Sequence, residues 1–299
     1  MIWNIAVSAI IKTANTLIML RWTCCLCTEG EVVNALPEGI AVLGVTSLGE
    51  EIYLLRPKCD RDQVEVYNVI NFRLLRCLTV PNARGFADIT SCDLFLCLYI
   101  SDHVDACIHV LDLQGNYTKW SVNDEPWSMS VNSVHNLVVT CRNVRKIKEF
   151  SPSGDLLHDV TLPGDVINPW HAIQLTSGQY IVCHGDHNDP VNRVCKVGQD
   201  ARQIKSHGGQ RGTIIGQYDV PRHLAVDDNE FVFVVDIYNC RVTLLSPTLD
   251  YERQVVSCDQ FKWKPRRLCL DVQRRRLYVT DNEFRDGKYT VGRVVMLSV

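Results

Sequence analysis

The amino-acid sequence predicts an all-β fold, and three observations support that prediction. A pattern of strand-forming runs separated by turns repeats about every 45 residues, which is close to the period of four-stranded propeller blades. The runs are rich in Val, Ile, Leu, Tyr and Phe, which favour strands. No amphipathic helix pattern of ten or more residues appears between residues 30 and 299. With about six copies of the unit, the sequence predicts a six-bladed β-propeller.

The last two copies of the unit show the pattern most clearly. Each opens on Pro-x-x-Leu-x-hydrophobic-Asp, continues into a hydrophobic run that ends at Asp, and closes on an Arg-Val run. These segments are residues 221–227, 231–236 and 241–247 in the fifth copy, and residues 265–271, 277–281 and 293–298 in the sixth. Weaker copies open at Gly39, Gly85, Pro126 and Pro169. One copy cannot bury both faces of its sheet, so the copies are expected to pack around a ring.

The two ends of the chain predict how the ring closes. The sequence stops at Val299, which corresponds to a point near Ser246 one copy earlier. The fifth copy continues there into an outer strand over residues 251–256, and the sixth copy has no such continuation. Residues 31–36 form a strand pattern just before the first copy. We therefore expect this N-terminal strand to complete the last blade and to cover its edge.

The first 29 residues are expected to form a separate extension. Residues 2–20 are largely apolar but include Asn4, Lys12 and Asn15, and a lysine near the centre of a membrane span is costly. The sequence therefore predicts a short apolar or amphipathic helical extension over residues 1–29, with the propeller over residues 30–299. Membrane insertion is not the favoured interpretation, although the length of the segment leaves it open.

Composition predicts a globular intracellular chain. The 299 residues carry 31 Lys and Arg against 34 Asp and Glu, and this balance gives no prediction of DNA binding. Most of the 14 cysteines lie inside strand patterns, where a reduced thiol acts as a small hydrophobic group. Cys24, Cys25 and Cys27 are clustered, but no second pair of Cys or His at zinc-site spacing accompanies them, so no metal or other cofactor is predicted. A chain with these reduced cysteines is expected in the cytoplasm.

The repeat resembles the NHL family of six-bladed propellers. The similarity lies in Pro-x-x-Leu-x-Val-Asp, in the hydrophobic run that ends at Asp, and in Arg-Val-x-Leu-Leu-Ser-Pro. NHL propellers serve as scaffolds and form the C-terminal domain of TRIM-type ubiquitin ligases. The resemblance therefore implies a recognition module for a protein partner, with a possible place in the ubiquitin pathway. No RING or B-box pattern accompanies it, so no ubiquitin transfer by this chain is expected.

A candidate binding face follows from the repeat. The two positions after each opening proline should form a ring of equivalent side chains at one mouth of the propeller. The aromatic and basic residues at these positions are Trp127, Trp170, His171, Arg222, His223, Arg266 and Arg267. A protein partner is the leading expectation, and single-stranded RNA is the alternative because aromatic and cationic groups suit bases and phosphates. A third interpretation remains open, in which the tryptophans pack between blades and the arginines bind carbonyl groups.

Catalysis is not expected, although one pattern would suit it. Propeller hydrolases and lyases hold a metal ion in the central channel with side chains from several blades. Asp102, Asp236 and Asp281 end equivalent strands, but the equivalent residues in other copies are Arg56, Cys141 and His184, which interrupts the ring. No nucleophile or acid–base motif appears. A metal-dependent hydrolase or lyase is therefore the less favoured alternative to a non-enzymatic recognition protein, and no catalytic residue is predicted.

Overall fold

The computed structural model describes residues 30–57 and 63–299, and these residues form six antiparallel sheets. The all-β, six-bladed propeller predicted from the repeat is confirmed. The only helical element among the described residues is a short 3-10 turn, Cys258–Gln260. The predicted extension over residues 1–29 lies outside the described residues.

Each blade is a four-stranded meander that runs from the channel outwards. Two N-terminal strands, β1 (Glu31–Ala35) and β2 (Gly39–Ile40), precede the first blade. Blade 1 contains β3 (Gly44–Leu48), β4 (Glu51–Arg56), β5 (Gln63–Asn68) and β6 (Leu74–Thr79); blade 2 contains β7 (Phe86–Cys92), β8 (Cys97–Asp102), β9 (Cys107–Asp112) and β10 (Tyr117–Ser121); blade 3 contains β11 (Ser128–Val131), β12 (Leu137–Cys141), β13 (Lys146–Phe150) and β14 (Leu156–Thr161).

The second half of the ring repeats this order. Blade 4 contains β15 (Pro169–Gln174), β16 (Tyr180–His184), β17 (Val191–Val197) and β18 (Gln203–Gln210); blade 5 contains β19 (Pro221–Val226), β20 (Val232–Asp236), β21 (Arg241–Leu245) and β22 (Tyr251–Val256); blade 6 contains β23 (Lys264–Asp271), β24 (Arg276–Arg285) and β25 (Lys288–Ser298). The innermost strands β3, β7, β11, β15, β19 and β23 contact one another in turn, and β23 contacts β3. The ring is therefore closed.

The N-terminal strand completes the sixth blade, as the sequence predicts. β1 pairs antiparallel with β25, with Glu31 opposite Ser298 and Ala35 opposite Val295. Just after β1, the Leu36 N–H donates to the Val294 carbonyl oxygen at 2.9 Å. Leu36 is 1% exposed and packs in a cluster with Met296. The first and last strands of the propeller are thus held together by both a backbone ladder and a buried side chain.

The hydrophobic core lies between neighbouring blades. Tyr53 and Val64 of blade 1 pack with Ile100 of blade 2, and Val138 of blade 3 packs with Val182 of blade 4. The second strand of each blade is almost wholly buried, whereas outer strands such as β6 and β14 are mostly exposed. Among the described residues, no helix has the length and apolar character that a membrane span requires.

Candidate functional site

The inner strands place the predicted face at the start of the central channel. In β7, β15, β19 and β23, the pairing register shifts just after the opening residue, so two residues of the inner strand lie opposite one residue of its partner. Such a bulge changes the direction in which side chains point. It allows adjacent residues, such as Arg222 and His223, both to reach the channel region, one at the mouth and one deeper.

The deeper side chains form a polar cluster that we call the hub, consisting of Asp88, His171, His223 and Arg267. They come from blades 2, 4, 5 and 6, and all four are buried. The two imidazole rings stack with centroids 3.8 Å apart. Arg267 Nη1 and His223 Nε2 each lie 3.5 Å from Asp88 Oδ2. The hub thus brings together one carboxyl group, two imidazole rings and one guanidinium group at the centre of the ring of blades.

Backbone groups of the other inner strands complete the hub. Arg267 donates to the carbonyl oxygens of Leu43, Ala87 and Trp127. These acceptors open the inner strands of blades 1, 2 and 3, so one guanidinium from blade 6 links three further blades. Asp88 Oδ2 also accepts the Met129 N–H of blade 3 at 3.0 Å.

The two histidines continue this linkage around the ring. His171 Nε2 lies 3.1 Å from the Met129 carbonyl oxygen, and its Nδ1 accepts the Leu224 N–H. His223 Nδ1 accepts the Leu268 N–H of blade 6 at 3.2 Å. Together, the four hub side chains contact all six blades. The hub is therefore a structural cross-link, in agreement with the interpretation in which arginines bind carbonyl groups.

Burial and charge set the protonation of the hub. Burial lowers the pKa of His171 and of His223, so both rings are neutral at neutral pH. Burial alone would raise the pKa of Asp88, but the charge of Arg267 and the contact with His223 hold it below its usual range. The hub thus contains one carboxylate, one guanidinium and two neutral imidazoles.

The hub does not suit a metal ion, although Asp88, His171 and His223 lie close enough to share one. In each histidine the Nδ1 lone pair accepts a backbone N–H, so the ring proton lies on Nε2. Neither ring then offers a free lone pair to a cation. Two of the strand-end aspartates, Asp236 and Asp281, each pair with an arginine of their own blade rather than with the hub.

A second group, which we call the arginine mouth, lies at the channel entrance above the hub. It consists of Trp127, Arg142, Trp170, Arg222, Arg266 and Tyr289. The Arg222 and Arg142 guanidinium carbons lie 3.6 and 3.8 Å from the centroid of the Trp170 ring, and they come from the blades on either side of it. The Arg266 guanidinium lies 4.0 Å from the Tyr289 ring centroid. Cation–π contacts of this kind hold planar guanidinium groups in fixed orientations.

Two cations of the arginine mouth lack a carboxylate partner among the described residues. Arg142 pairs with Asp186, but no ion pair is formed by Arg222 or Arg266. Arg222 is 9% exposed and Arg266 is 7% exposed. Three of their nitrogen atoms have no hydrogen-bond acceptor among the described residues: Nε of Arg222, and Nε and Nη1 of Arg266. Burial lowers the pKa of Arg222 to about 9 and that of Arg266 to about 10, so both remain charged at neutral pH. Buried, unpaired cations are costly, and such a site favours an anion.

The structure divides the seven predicted face residues between these two groups. Trp127, Trp170, Arg222 and Arg266 lie in the arginine mouth. The other three, His171, His223 and Arg267, lie in the hub, where their polar atoms already bind other blades.

Sequence reasoning missed two members of the arginine mouth. Arg142 directly follows β12, and Tyr289 lies at the start of β25, where it pairs with Phe284 of β24. Neither follows an opening proline, so the rule that selected the other residues could not select them. One signal could have identified Arg142. It directly follows Cys141, which occupies the strand-end position that Asp236 occupies in blade 5.

On the other side of the hub, the channel opens into a cavity of about 910 Å³. Its wall includes Thr46, Ser91, Ser130 and Leu270 from the inner strands, and His171 and His223 also border it. Near its rim, Arg274 pairs with Asp271 at 3.1 Å. The hub thus separates this mixed polar and apolar cavity from the arginine mouth.

Comparisons with solved structures agree with the fold. A virginiamycin B lyase from Staphylococcus aureus, solved as an inactive variant with quinupristin, superposes with a TM-score of 0.60 at 8% identity, over 91% of this chain and 98% of that one. The β-propeller domain of Cps50 (Swd1) from Myceliophteria thermophila gives 0.60 at 10% identity, over 90% and 99% of the two chains. A protein of unknown function from Bacteroides thetaiotaomicron gives 0.64 at 12% identity, over 90% and 72%.

Likeness at these identities shows the propeller fold alone. No protein-family model and no curated protein matches the sequence.

Proposed function

We propose that the protein is a non-enzymatic recognition propeller whose arginine mouth binds an acidic group of a protein partner. One observation carries the proposal: Arg222 and Arg266 are almost completely buried cations with no carboxylate beside them among the described residues. A carboxylate from a partner would accept their free N–H groups and neutralise their charge. Bonds between guanidinium and carboxylate groups are among the stronger hydrogen bonds in proteins.

The aromatic rings of the arginine mouth prepare it for this role. The Trp170 and Tyr289 rings lie next to the guanidinium groups of Arg222 and Arg266, and the Nε–H of both arginines has no acceptor in the described part of the chain. Little side-chain entropy is then lost when an anion binds. At the rim, Lys264 lies 4.0 Å from the Tyr238 ring centroid and adds a further positive charge.

The same contacts make single-stranded RNA the weaker candidate. Stacking of bases requires exposed ring faces. Trp170 is 6% exposed and is covered by Arg142 and Arg222, while Trp127 stacks on His103 at 4.9 Å. The face offers cations to an RNA but little aromatic surface.

Two further features support a scaffold role and a place in the cytoplasm. The NHL-like repeat supports a scaffold role, with the ubiquitin pathway as one context for it. The described cysteines are unpaired thiols, which supports a reducing compartment such as the cytoplasm.

The test uses the full chain and two fluorescent probes, a hexaglutamate peptide and a twelve-nucleotide oligouridine, with hexaglutamine as the neutral control peptide. We expect hexaglutamate to bind, as measured by fluorescence anisotropy, and hexaglutamine not to bind. Arg222→Gln and Arg266→Gln should each weaken hexaglutamate binding about tenfold, which corresponds to one charged hydrogen bond of about 1.4 kcal/mol.

Arg202→Gln is the matched control, because Arg202 is an exposed arginine on the outer edge of blade 4. It should leave binding unchanged. Circular dichroism would establish that all three variants are folded. Equal hexaglutamate affinity in the wild type and both mouth variants would refute the proposal, and oligouridine binding that alone depends on Arg222 and Arg266 would favour RNA instead.

A further inference from the structure

Blade 2 contains a buried group of three side chains that the recognition function does not use. Asp102 ends β8, Cys107 begins β9, and His109 lies two residues further along β9. All three are buried, and one atom from each lies within 4.8 Å of the others. His109 Nε2 is 3.4 Å from Asp102 Oδ2 and 3.6 Å from Cys107 Sγ. A carboxylate, a thiol and an imidazole therefore converge on one point inside the sheet.

The second ring nitrogen of His109, Nδ1, has an outer hydrogen-bond partner in Tyr117. The Tyr117 hydroxyl donates its single proton to the Pro81 carbonyl oxygen, which can only accept. Tyr117 can then only accept from His109 Nδ1, which lies 2.9 Å away. When Nδ1 donates to Tyr117 in this way, the Nε2 lone pair is available to a cation between Asp102 and Cys107. This differs from the hub, where Nδ1 accepts a backbone N–H. An outer partner on the second ring nitrogen is usual for a histidine that binds a metal.

The equivalent positions in blades 5 and 6 show what blade 2 lacks. Asp236 is paired across the sheet with Arg241, whose guanidinium lies 3.0 Å from it. Asp281 is paired in the same way with Arg293, at 2.9 Å. In blade 2 the residue across from Asp102 is Cys107, so the cation of the repeat is absent.

The backbone holds the Asp102 carboxylate in place without supplying a charge. Its Oδ2 accepts the Arg84 N–H at 2.7 Å, and its Oδ1 accepts the Val104 and Asp105 N–H groups. A buried carboxylate that faces no cationic side chain across the sheet offers a favourable position for a positive ion.

The distances suit zinc. Bond lengths of about 2.0–2.1 Å to nitrogen and oxygen and about 2.3 Å to sulfur give tetrahedral edges of about 3.3 Å between N and O and about 3.6 Å between N and S. The measured separations are 3.4 and 3.6 Å. One carboxylate and one thiolate would balance the two charges of the ion.

We propose that Asp102, Cys107 and His109 bind one Zn²⁺ ion inside blade 2. The ion takes the place that a guanidinium occupies in blades 5 and 6. On binding, the Cys107 thiol releases its proton to solvent and the sulfur forms a bond to zinc. Three protein ligands leave the fourth position to a water molecule.

The first experiment measures the metal content of the full chain, produced with zinc in the medium and passed through gel filtration. The decisive variant is Cys107→Arg, which rebuilds the aspartate–arginine pair of blades 5 and 6 and should fold. We expect wild-type protein to contain one more equivalent of zinc than this variant. Cys195→Ala, which removes a buried cysteine from blade 4, should retain the wild-type zinc content.

The second experiment replaces zinc with Co²⁺, whose spectrum reports ligands directly. The wild type should show the intense visible bands of tetrahedral cobalt with a near-ultraviolet band from one thiolate. Cys107→Arg should lose both, and His109→Gln should weaken the visible bands. Equal zinc content in wild type and Cys107→Arg, or a cobalt spectrum that does not depend on Cys107, would overturn the proposal. Neither result would affect the arginine mouth, because its ligand is tested by a different probe.

Discussion

Two adjacent arginines show how much the surroundings of a residue decide its role. Arg266 stacks on Tyr289 and has no ion-pair partner among the described residues. Arg267 binds three carbonyl oxygens and faces Asp88. The sequence treats the two as equivalent, but the bulge in β23 places one in the arginine mouth and the other in the hub.

This difference predicts opposite effects of the same substitution. Arg267→Met would leave the Asp88 carboxylate buried without its cation, and it should lower the free energy of unfolding by about 3–5 kcal/mol. Arg266→Met removes a buried, unpaired charge while keeping an apolar contact with Tyr289. It should leave stability unchanged or raise it by about 1 kcal/mol, because relief from desolvation outweighs the lost cation–π contact.

Urea unfolding followed by circular dichroism measures both values. A double variant, Asp88→Asn with Arg267→Met, should recover part of the loss seen in Arg267→Met because it removes the unpaired charge. If Arg266→Met destabilised the protein as much as Arg267→Met, the description of Arg266 as an unpaired binding residue would be wrong.

At the level of single residues, the sequence predicts the location of the site but not the contacts within it. Positions after an opening proline were expected at one mouth of the channel, and Trp170 and Arg222 lie there. The separation of His171 and His223 from that face was not predictable, because it depends on bulges that appear only when strands pair. The metal-binding proposal was also not accessible, since Asp102, Cys107 and His109 follow ordinary strand spacing rather than a zinc motif.

At the level of elements, the N-terminal strand was predictable because the repeat is incomplete. The last copy lacks the outer strand that the fifth copy has, and residues 31–36 match it. β1 itself is mostly exposed, so its attachment depends on the ladder to β25 and on the residue that follows it.

Leu36 should therefore be the side chain that fixes this closing strand. Leu36→Ala would create a cavity between blades 6 and 1, and it should lower the free energy of unfolding by about 2–5 kcal/mol. Val33 lies in the same strand but is 54% exposed. Val33→Ala should therefore change stability by no more than about 0.5 kcal/mol.

Thermal unfolding of the two variants gives the comparison, and amide hydrogen exchange locates the effect. Faster exchange in β25 is expected for Leu36→Ala alone, since that strand loses its partner first. Similar stability of the two variants would mean that the ring closes without help from Leu36.

At the scale of the whole molecule, the hub makes the six blades interdependent. Its four side chains reach the inner strands of all six blades, so no blade can leave the ring without breaking a buried polar contact. The same cluster lies between the arginine mouth and the 910 Å³ cavity. Repetition in the sequence predicts the ring, whereas the hub breaks the symmetry of the repeat, and only the closed structure shows how unequal residues complete it.

The buried histidines should make the stability of the whole propeller depend on pH. Burial lowers the pKa of His171 and His223, and it lowers the pKa of His184 to about 4. In the unfolded chain these side chains titrate near 6.5, so below that pH the unfolded state binds protons that the folded state does not. Stability should therefore be complete above about pH 7 and fall as the pH decreases through 6.5, with each of these three residues contributing at most about 1.4 kcal/mol per pH unit. Burial also lowers the pKa of His109 and of His207, so these two residues act in the same direction.

Urea unfolding between pH 7.5 and 5 would measure this slope. The effect should persist in His158→Gln, since His158 is exposed, and the slope should decrease in His184→Gln, which removes one buried imidazole. Asp88 does not oppose the trend, because its lowered pKa makes its own contribution disappear only as the pH falls below about 4. Asp236 does oppose it, because burial raises the pKa of this carboxyl to about 7, and its protonation between pH 7 and 4 offsets the slope of about one histidine. A free energy of unfolding that does not change between pH 7.5 and 5.5 would mean that the hub histidines are already protonated in the folded protein. The description of His171 and His223 as a neutral, stacked pair would then be wrong.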